Sequence, residues 1–135
     1  MAVARRSPPN VVDSSAWLEY LADAPGAGNF AHAIESVDRL VVPTVCLLEV
    51  FKAVRRQRGE SDALQAAAVM HQGLVIELDA ALALAAGRAG IEHKLPLADS
   101  IVWATAQAVG GTVWTQDEDF EGLPGVEYFP KKGAR

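Results

Sequence analysis

Five short runs of apolar, often β-branched residues recur along this chain, and longer segments with helical spacing separate them. The predicted strands cover residues 10–13, 40–42, 74–78, 112–115 and 126–129. Strands that alternate with helices predict an α/β fold, in which helices cover both faces of a parallel sheet. Half of the 135 residues are apolar, which is enough to form the core of one such domain.

The helices are delimited by capping residues, glycine and proline. We predict helices over approximately residues 15–22, 29–36, 44–58, 61–72, 80–90 and 96–109. Thr44 and Asp79 are predicted N-caps of the third and fifth helices. Gly90 is predicted to end the fifth helix, and Gly110 to follow the end of the sixth.

The net charge is −5, from 12 basic and 17 acidic residues. This balance argues against a protein that binds nucleic acid through a basic surface alone. It leaves two interpretations, an ordinary acidic protein or an acidic cluster that a cation neutralises. The N-terminal segment MAVARRSPPN has no apolar stretch of signal-peptide length, and Cys46 is the only cysteine. We therefore expect a cytoplasmic protein with no membrane association.

Acidic residues follow two of the predicted strands. Asp13 ends the first strand, and Asp117 and Asp119 come just after the fourth. If these strands are neighbours, the acids meet at the carboxyl edge of the sheet, where ligands bind in such folds. Taken singly, each aspartate also fits an ordinary turn.

Two further acids lie within apolar segments, Glu49 in VCLLEVF and Asp99 just before IVWATA. An acid in such surroundings either reaches a sheltered polar site or carries a desolvation cost. Alternatively, Glu49 lies on a solvated helix face with Lys52 and Arg56. Alternatively, Asp99 is the N-cap of a helix that begins one turn later than predicted.

Carboxylates that converge in one cleft repel each other, and a divalent cation removes this repulsion. Oxygen ligands favour Mg²⁺ or Mn²⁺, and such a site suits phosphodiester hydrolysis. His32, His71 and His93 are scattered and fit no zinc spacing. A phosphatase of the haloacid dehalogenase type is excluded, because the second acid that it needs is replaced by Ser15.

Four segments, VVDSSAWLEYL, VPTVCLLEVFKA, LPLADSIVWATA and TVWTQDEDFEGLPGVEYF, carry these acids. In this order the chain resembles PIN domains, specifically the VapC-like toxin ribonucleases of bacterial toxin–antitoxin pairs. The resemblance implies a PIN-like doubly wound α/β sandwich with a five-stranded, mainly parallel sheet of order 3-2-1-4-5. It places the domain at residues 10–130, between a flexible leader (1–9) and a tail (131–135).

The resemblance also implies residue roles. The catalytic acids are Asp13, Glu49, Asp99 and Asp117, and these four bind Mg²⁺ (or Mn²⁺) together with the lower-ranked Asp119. Ser14 and Thr115 match small hydroxyl positions that line similar sites, although turns and strand ends use such residues too. Lys52 and Arg56, with Arg55 and Arg58, are candidates for contacts to the RNA backbone. Their alternative is a solvated basic helix end.

The implied function is an endoribonuclease that hydrolyses RNA, leaves a 5′-phosphate and a 3′-hydroxyl, and is neutralised by a small antitoxin. A homodimer is expected by the same resemblance. Two alternatives remain open, a stand-alone RNA-processing PIN nuclease and a catalytically silent PIN binding module. Trp17, Trp103 and Trp114 are candidates for base stacking, but the apolar segments around Trp103 and Trp114 favour core positions.

Overall fold

The computed structural model describes residues 7–132, in which strands and helices alternate as predicted. The strands are β1 Asn10–Val12, β2 Leu40–Pro43, β3 Leu74–Ile76, β4 Thr112–Thr115 and β5 Val126–Tyr128. The α-helices are α1 Ser14–Leu21, α2 Gly28–Glu35, α3 Thr44–Arg58, α4 Glu60–Met70, α5 Ala80–His93 and α6 Leu97–Val109. A short 3-10 helix follows β4 at Glu118–Phe120. Residues 1–6 of the predicted leader and 133–135 of the predicted tail lie outside the described residues.

The five strands form one sheet of order β3-β2-β1-β4-β5, which confirms the predicted order. Every neighbouring pair is parallel, so the sheet is parallel throughout. In the centre, β1 pairs with β2 on one side and with β4 on the other. The strand order reverses at β1, which is where such folds open a ligand crevice. The residues that follow β1 and β4 therefore lie side by side at the end of the sheet where the carboxyl ends of its parallel strands meet.

The hydrophobic core surrounds the central strands. All three residues of β1 are buried, as expected for a parallel strand that is covered on both faces. Trp17 is fully buried as well, so the prediction that it could stack on a base is wrong. Trp103 and Trp114 are partly buried against the core, as their apolar segments indicated. Within residues 7–132, no helix combines the length and the apolar character that crossing a bilayer would require.

One predicted helix end and one predicted N-cap are wrong. Helix α5 continues past Gly90 to His93 and ends at Lys94, which has a left-handed backbone with φ of 54°. Gly90 lies where α5 faces α6, and a Cβ atom there would be 3.5 Å from the Ser100 Cβ. A side chain of this size would make an ordinary van der Waals contact, so Gly90 neither ends the helix nor is required by its packing. Thr44 is the first residue of α3, and no side chain caps that helix. Asp79 does cap α5, by accepting a hydrogen bond from the Leu82 amide at 2.8 Å.

Candidate metal centre

Asp13 lies at the junction of β1 and α1 and is 3% exposed. Its Oδ1 accepts hydrogen bonds from the Ala16 amide at 3.1 Å and from Ser15 Oγ at 2.7 Å. Its Oδ2 accepts a hydrogen bond from Thr115 Oγ1 at 2.8 Å. Burial raises the pKa of Asp13 to about 6, and the charge of Asp117 adds to this rise. The three hydrogen bonds lower the pKa and offset part of the effect of burial. The carboxylate is thus held in one orientation by its own helix and by β4.

Thr115 joins two of the predicted acids. Its buried hydroxyl donates to Asp13 and accepts a hydrogen bond from the Asp117 amide at 2.9 Å. Asp117 in turn caps the 3-10 helix, because its Oδ1 accepts a hydrogen bond from the Asp119 amide at 2.9 Å. The Thr115 hydroxyl therefore connects the end of β4 to the end of β1.

Asp99 lies in the first turn of α6, three residues after Pro96, the residue that precedes the helix. No side chain caps this helix, so the alternative that Asp99 is an N-cap is wrong. Burial raises the pKa of Asp99 to about 7, with the charges of four other carboxylates as further causes. Those carboxylates, in order of effect, belong to Asp117, Asp13, Asp119 and Glu49. Asp99 thus experiences the charge of every other predicted acid.

One carboxylate oxygen each from Asp13, Asp99 and Asp117 lies within 4.8 Å of the other two. Glu49 is partly buried on α3, and its Oε1 accepts a hydrogen bond from Ser14 Oγ at 2.7 Å. Asp119 is exposed. The five predicted acids thus divide into a compact group of three and two flanking residues, Glu49 and Asp119.

The donor set fits a hard divalent cation. It consists of carboxylate oxygens, the ligands that Mg²⁺ and Mn²⁺ prefer. Around an octahedral Mg²⁺ ion, adjacent oxygens lie about 3 Å apart and opposite oxygens about 4.2 Å apart, so the three carboxylates would move closer together on binding an ion. The raised pKa values of Asp13 and Asp99 also fit, because a nearby cation would relieve the crowding of negative charge. Burial and these carboxylates raise the pKa of Cys46 well above its usual value, so its side chain stays a thiol.

The basic residues of α3 lie beyond Glu49 along the same helix. Lys52, Arg55, Arg56 and Arg58 are all exposed. Within residues 7–132 the one ion pair joins Arg55 to Glu60 at 2.7 Å, on the solvent-exposed surface. Glu49 therefore does not use Lys52 or Arg56 as an ion-pair partner, contrary to the solvated-face alternative.

Two residues at this edge of the sheet escaped the sequence analysis. Glu19 is 6% exposed, and its carboxylate accepts hydrogen bonds from the Gly26 amide and from Gln116 Nε2. Gln116 stands between Thr115 and Asp117. The criterion applied to Glu49, an acid between apolar neighbours, would have found Glu19 too, since it lies between Leu18 and Tyr20.

Comparisons with known proteins agree with this architecture. Residues 11–126 match the family model described as PIN domain. A toxin–antitoxin complex from Klebsiella pneumoniae contains a chain with a TM-score of 0.74 and 21% identity, covering 91% of this chain and 99% of that one. The sarcin–ricin loop cleaving toxin VapC20 of Mycobacterium tuberculosis has a TM-score of 0.74 and 22% identity, covering 90% and 99%.

A third similar structure is VapBC2 from Rickettsia felis bound to a DNA fragment from its promoter. Its TM-score is 0.69 and its identity 13%, over 88% of this chain and 97% of that one. A search of curated proteins found no match. At such identities the solved structures support a shared fold.

Proposed function

Because the chain belongs to the PIN-domain family, we propose that it is a Mg²⁺- or Mn²⁺-dependent endoribonuclease and the toxin of a toxin–antitoxin pair. The observation that carries this proposal is the group of Asp13, Asp99 and Asp117 at the strand-order reversal, with Glu49 beside it. An all-carboxylate site of this kind is suited to phosphodiester hydrolysis.

The acids take two different roles in the proposed reaction, metal binding and proton transfer. When bound, a Mg²⁺ ion would polarise the phosphoryl oxygen and lower the pKa of water. Asp13, Asp99 and Asp117 would hold the ion, and Asp119 would be a further ligand at the exposed side. Glu49 has one oxygen anchored by Ser14, which leaves the other to accept a proton from the attacking water. The water oxygen bonds to phosphorus, the bond to the 3′ oxygen breaks, and that oxygen takes up a proton from solvent. The products then carry a 5′-phosphate and a 3′-hydroxyl.

The RNA needs positive charge close to this acidic group. Lys52 and Arg56 lie about one and two helical turns beyond Glu49 on α3, and both are exposed. We assign them to contacts with RNA phosphates, which position a substrate without reading its sequence. Ser14 and Thr115 line the acidic site from α1 and β4, and their hydroxyls orient Glu49 and Asp13 respectively.

The partner that we propose is a small antitoxin with a basic segment that covers the acidic site. Charge complementarity supports it, since the chain carries a net charge of −5 and its acids converge on one edge. The similarity to a chain of the Klebsiella toxin–antitoxin complex agrees with such a partner. We further expect a homodimer and a cytoplasmic location. The presence of all five acids favours an active nuclease over a silent binding module, and a stand-alone RNA-processing nuclease is the remaining alternative.

The decisive experiment replaces Asp99 by asparagine, which keeps the shape of the side chain and removes its charge. We expect Asp99→Asn to abolish metal-dependent RNA cleavage and to leave the circular dichroism spectrum unchanged. Asp38→Asn is the matched control, because Asp38 is exposed and precedes β2 at the opposite edge of the sheet. Full cleavage by purified Asp99→Asn would refute the nuclease assignment. Mapping of cut sites on cellular RNA, with Asp99→Asn as background, then identifies the substrate.

The antitoxin is tested by co-expression with the neighbouring small gene. We expect the two proteins to copurify and the host to grow, whereas expression of this chain alone arrests growth. Absence of both a complex and growth rescue would favour the stand-alone nuclease.

A further inference from the structure

A hydrogen bond between Gln116 and the buried Glu19 connects α1 to the loop that carries Asp117. We propose that this pair positions Asp117 for metal binding, an inference that rests on the proposed function. Neither residue belongs to the compact acidic group. They act through the backbone of the loop after β4.

Glu19 is fixed at both of its oxygens. Its Oε2 accepts a hydrogen bond from the Gly26 amide at 2.8 Å, in the turn between α1 and α2. Its Oε1 accepts a hydrogen bond from Gln116 Nε2 at 3.2 Å. Gly26 closes around the carboxylate, since a Cβ atom there would stand 2.9 Å from Oε2. A buried carboxylate with both oxygens bonded is a rigid anchor, because leaving either oxygen unpaired costs its desolvation.

Gln116 connects the fixed Glu19 carboxylate to the acidic site. It is the residue between Thr115, which bonds Asp13, and Asp117. Its Nε2 also approaches the Ser15 carbonyl at 3.5 Å, so the amide spans from the loop to two points on α1. The loop is therefore attached to α1 through Glu19 and to β1 through Asp13. With both attachments present, the direction of the Asp117 side chain is set from either side.

Residues that orient a metal ligand without touching the metal commonly contribute 10- to 100-fold to metal affinity, in order of magnitude. A purely structural role for the pair predicts something else, a loss of stability with unchanged metal affinity. The two roles are therefore separated by a binding measurement and not by activity.

The test measures Mn²⁺ affinity by electron paramagnetic resonance in the full-length protein. Gln116→Leu removes the donor at similar size, and Gln116→Asn keeps an amide that is too short to reach Glu19. We expect either variant to weaken Mn²⁺ binding by about 10-fold. Cleavage should recover at saturating Mn²⁺ with the KM for RNA unchanged. Glu19→Gln is the conservative variant, because the Gln116 amide can turn and offer its oxygen to the new donor, and we expect affinity within about 3-fold of the unmodified protein.

A second readout needs no metal. In the metal-free protein, the backbone amides of Asp117 and Asp119 bond to the side chains of Thr115 and Asp117. Gln116→Asn should accelerate their hydrogen exchange, since the loop loses its attachment to α1.

Gln72→Leu is the matched control, because Gln72 is exposed and precedes β3 at the edge of the sheet opposite the acids. Unchanged Mn²⁺ affinity in folded Gln116 variants overturns the positioning role and leaves the proposed function standing. If the unmodified protein binds no Mn²⁺, the proposed function fails instead. Should Gln116→Leu not fold, Gln116→Asn decides the question alone.

Discussion

Replacing Asp99 by asparagine should stabilise the metal-free protein while it destroys the metal site. The carboxylate of Asp99 is partly buried and is repelled by four other acids, which is why its pKa rises from 3.8 to about 7. Asparagine fills nearly the same volume and carries no charge. The folded state is therefore relieved of a repulsion that the unfolded chain never experiences.

The magnitude follows from the size of the pKa change. A rise of about 3 units corresponds to about 4 kcal/mol between the protonated and ionised forms. Because Asp99 is only partly buried, solvent screening reduces this to about 2 kcal/mol. The loss of a negative charge at the start of α6 opposes the gain by about 0.5 kcal/mol. The net gain of about 1.5 kcal/mol should raise the Tm by roughly 5 °C.

The gain should depend on pH with a definite sign. A carboxyl group whose pKa is raised in the folded state binds its proton more tightly there than in the unfolded chain. The stability of the unmodified protein therefore falls as the pH rises from about 4 to about 7 and is level above that. Asp99→Asn lacks this dependence, so its advantage should be complete at pH 8 and less than half as large at pH 5.

The measurement is thermal unfolding with EDTA present, at pH 5 and pH 8, with Asp38→Asn as the control for loss of one exposed charge. We expect the control to change stability by no more than about 0.5 kcal/mol. A lower Tm of Asp99→Asn at pH 8 would show that the carboxylate stabilises the fold, and would refute the repulsion on which the metal site is argued.

Three further predictions use other parts of the site. Glu49→Gln should reduce cleavage at least 100-fold in a single-turnover assay while Mn²⁺ still binds, since Glu49 lies outside the compact group; loss of metal binding instead would make it a ligand. Metal affinity should rise from pH 6 to pH 8 in a Mn²⁺ titration, because Asp13 and Asp99 release their protons over that range; a flat profile contradicts this. Thr115→Val should cost about 2 kcal/mol in urea unfolding, since the Asp13 carboxylate and the Asp117 amide both lose a partner; an unchanged midpoint would count against the bridge.

The secondary structure was largely predictable because local rules decide it. The β-branched runs predicted the five strands, and residues such as Asp79 and Gly110 predicted helix boundaries. Gly90 is the exception, because α5 continues to His93 and Lys94 takes the left-handed conformation at its end. Helix termination by glycine is a local preference that the rest of the fold can override.

The strand order came from the resemblance and was confirmed by the structure, while the roles of the site residues stay predictions. Their places after strands mark Asp13 and Asp117 in the sequence, and their apolar neighbours mark Glu49 and Asp99. These acids lie close together because β1 and β4 are adjacent strands, which the local sequence pattern does not show. Glu19 was missed although it satisfies the same criterion as Glu49, because its partners, Gly26 and Gln116, lie in loops whose meeting no periodicity reveals.

The sequence alone determined the alternation of strands and helices, the parallel sheet that follows from it, and which acids are costly to bury. Only the tertiary structure decided which carboxylate oxygens lie close together. It also decided that Thr115 donates a hydrogen bond to Asp13, and that Glu19 accepts one from the loop after β4. The physical reason is that the interactions in the two cases join residues at very different separations along the chain. Helix and strand formation depend on neighbours a few residues apart. Carboxylate repulsion and hydrogen bonding in the site join residues about 100 positions apart, and their energies depend on ångström distances that only the packed fold sets.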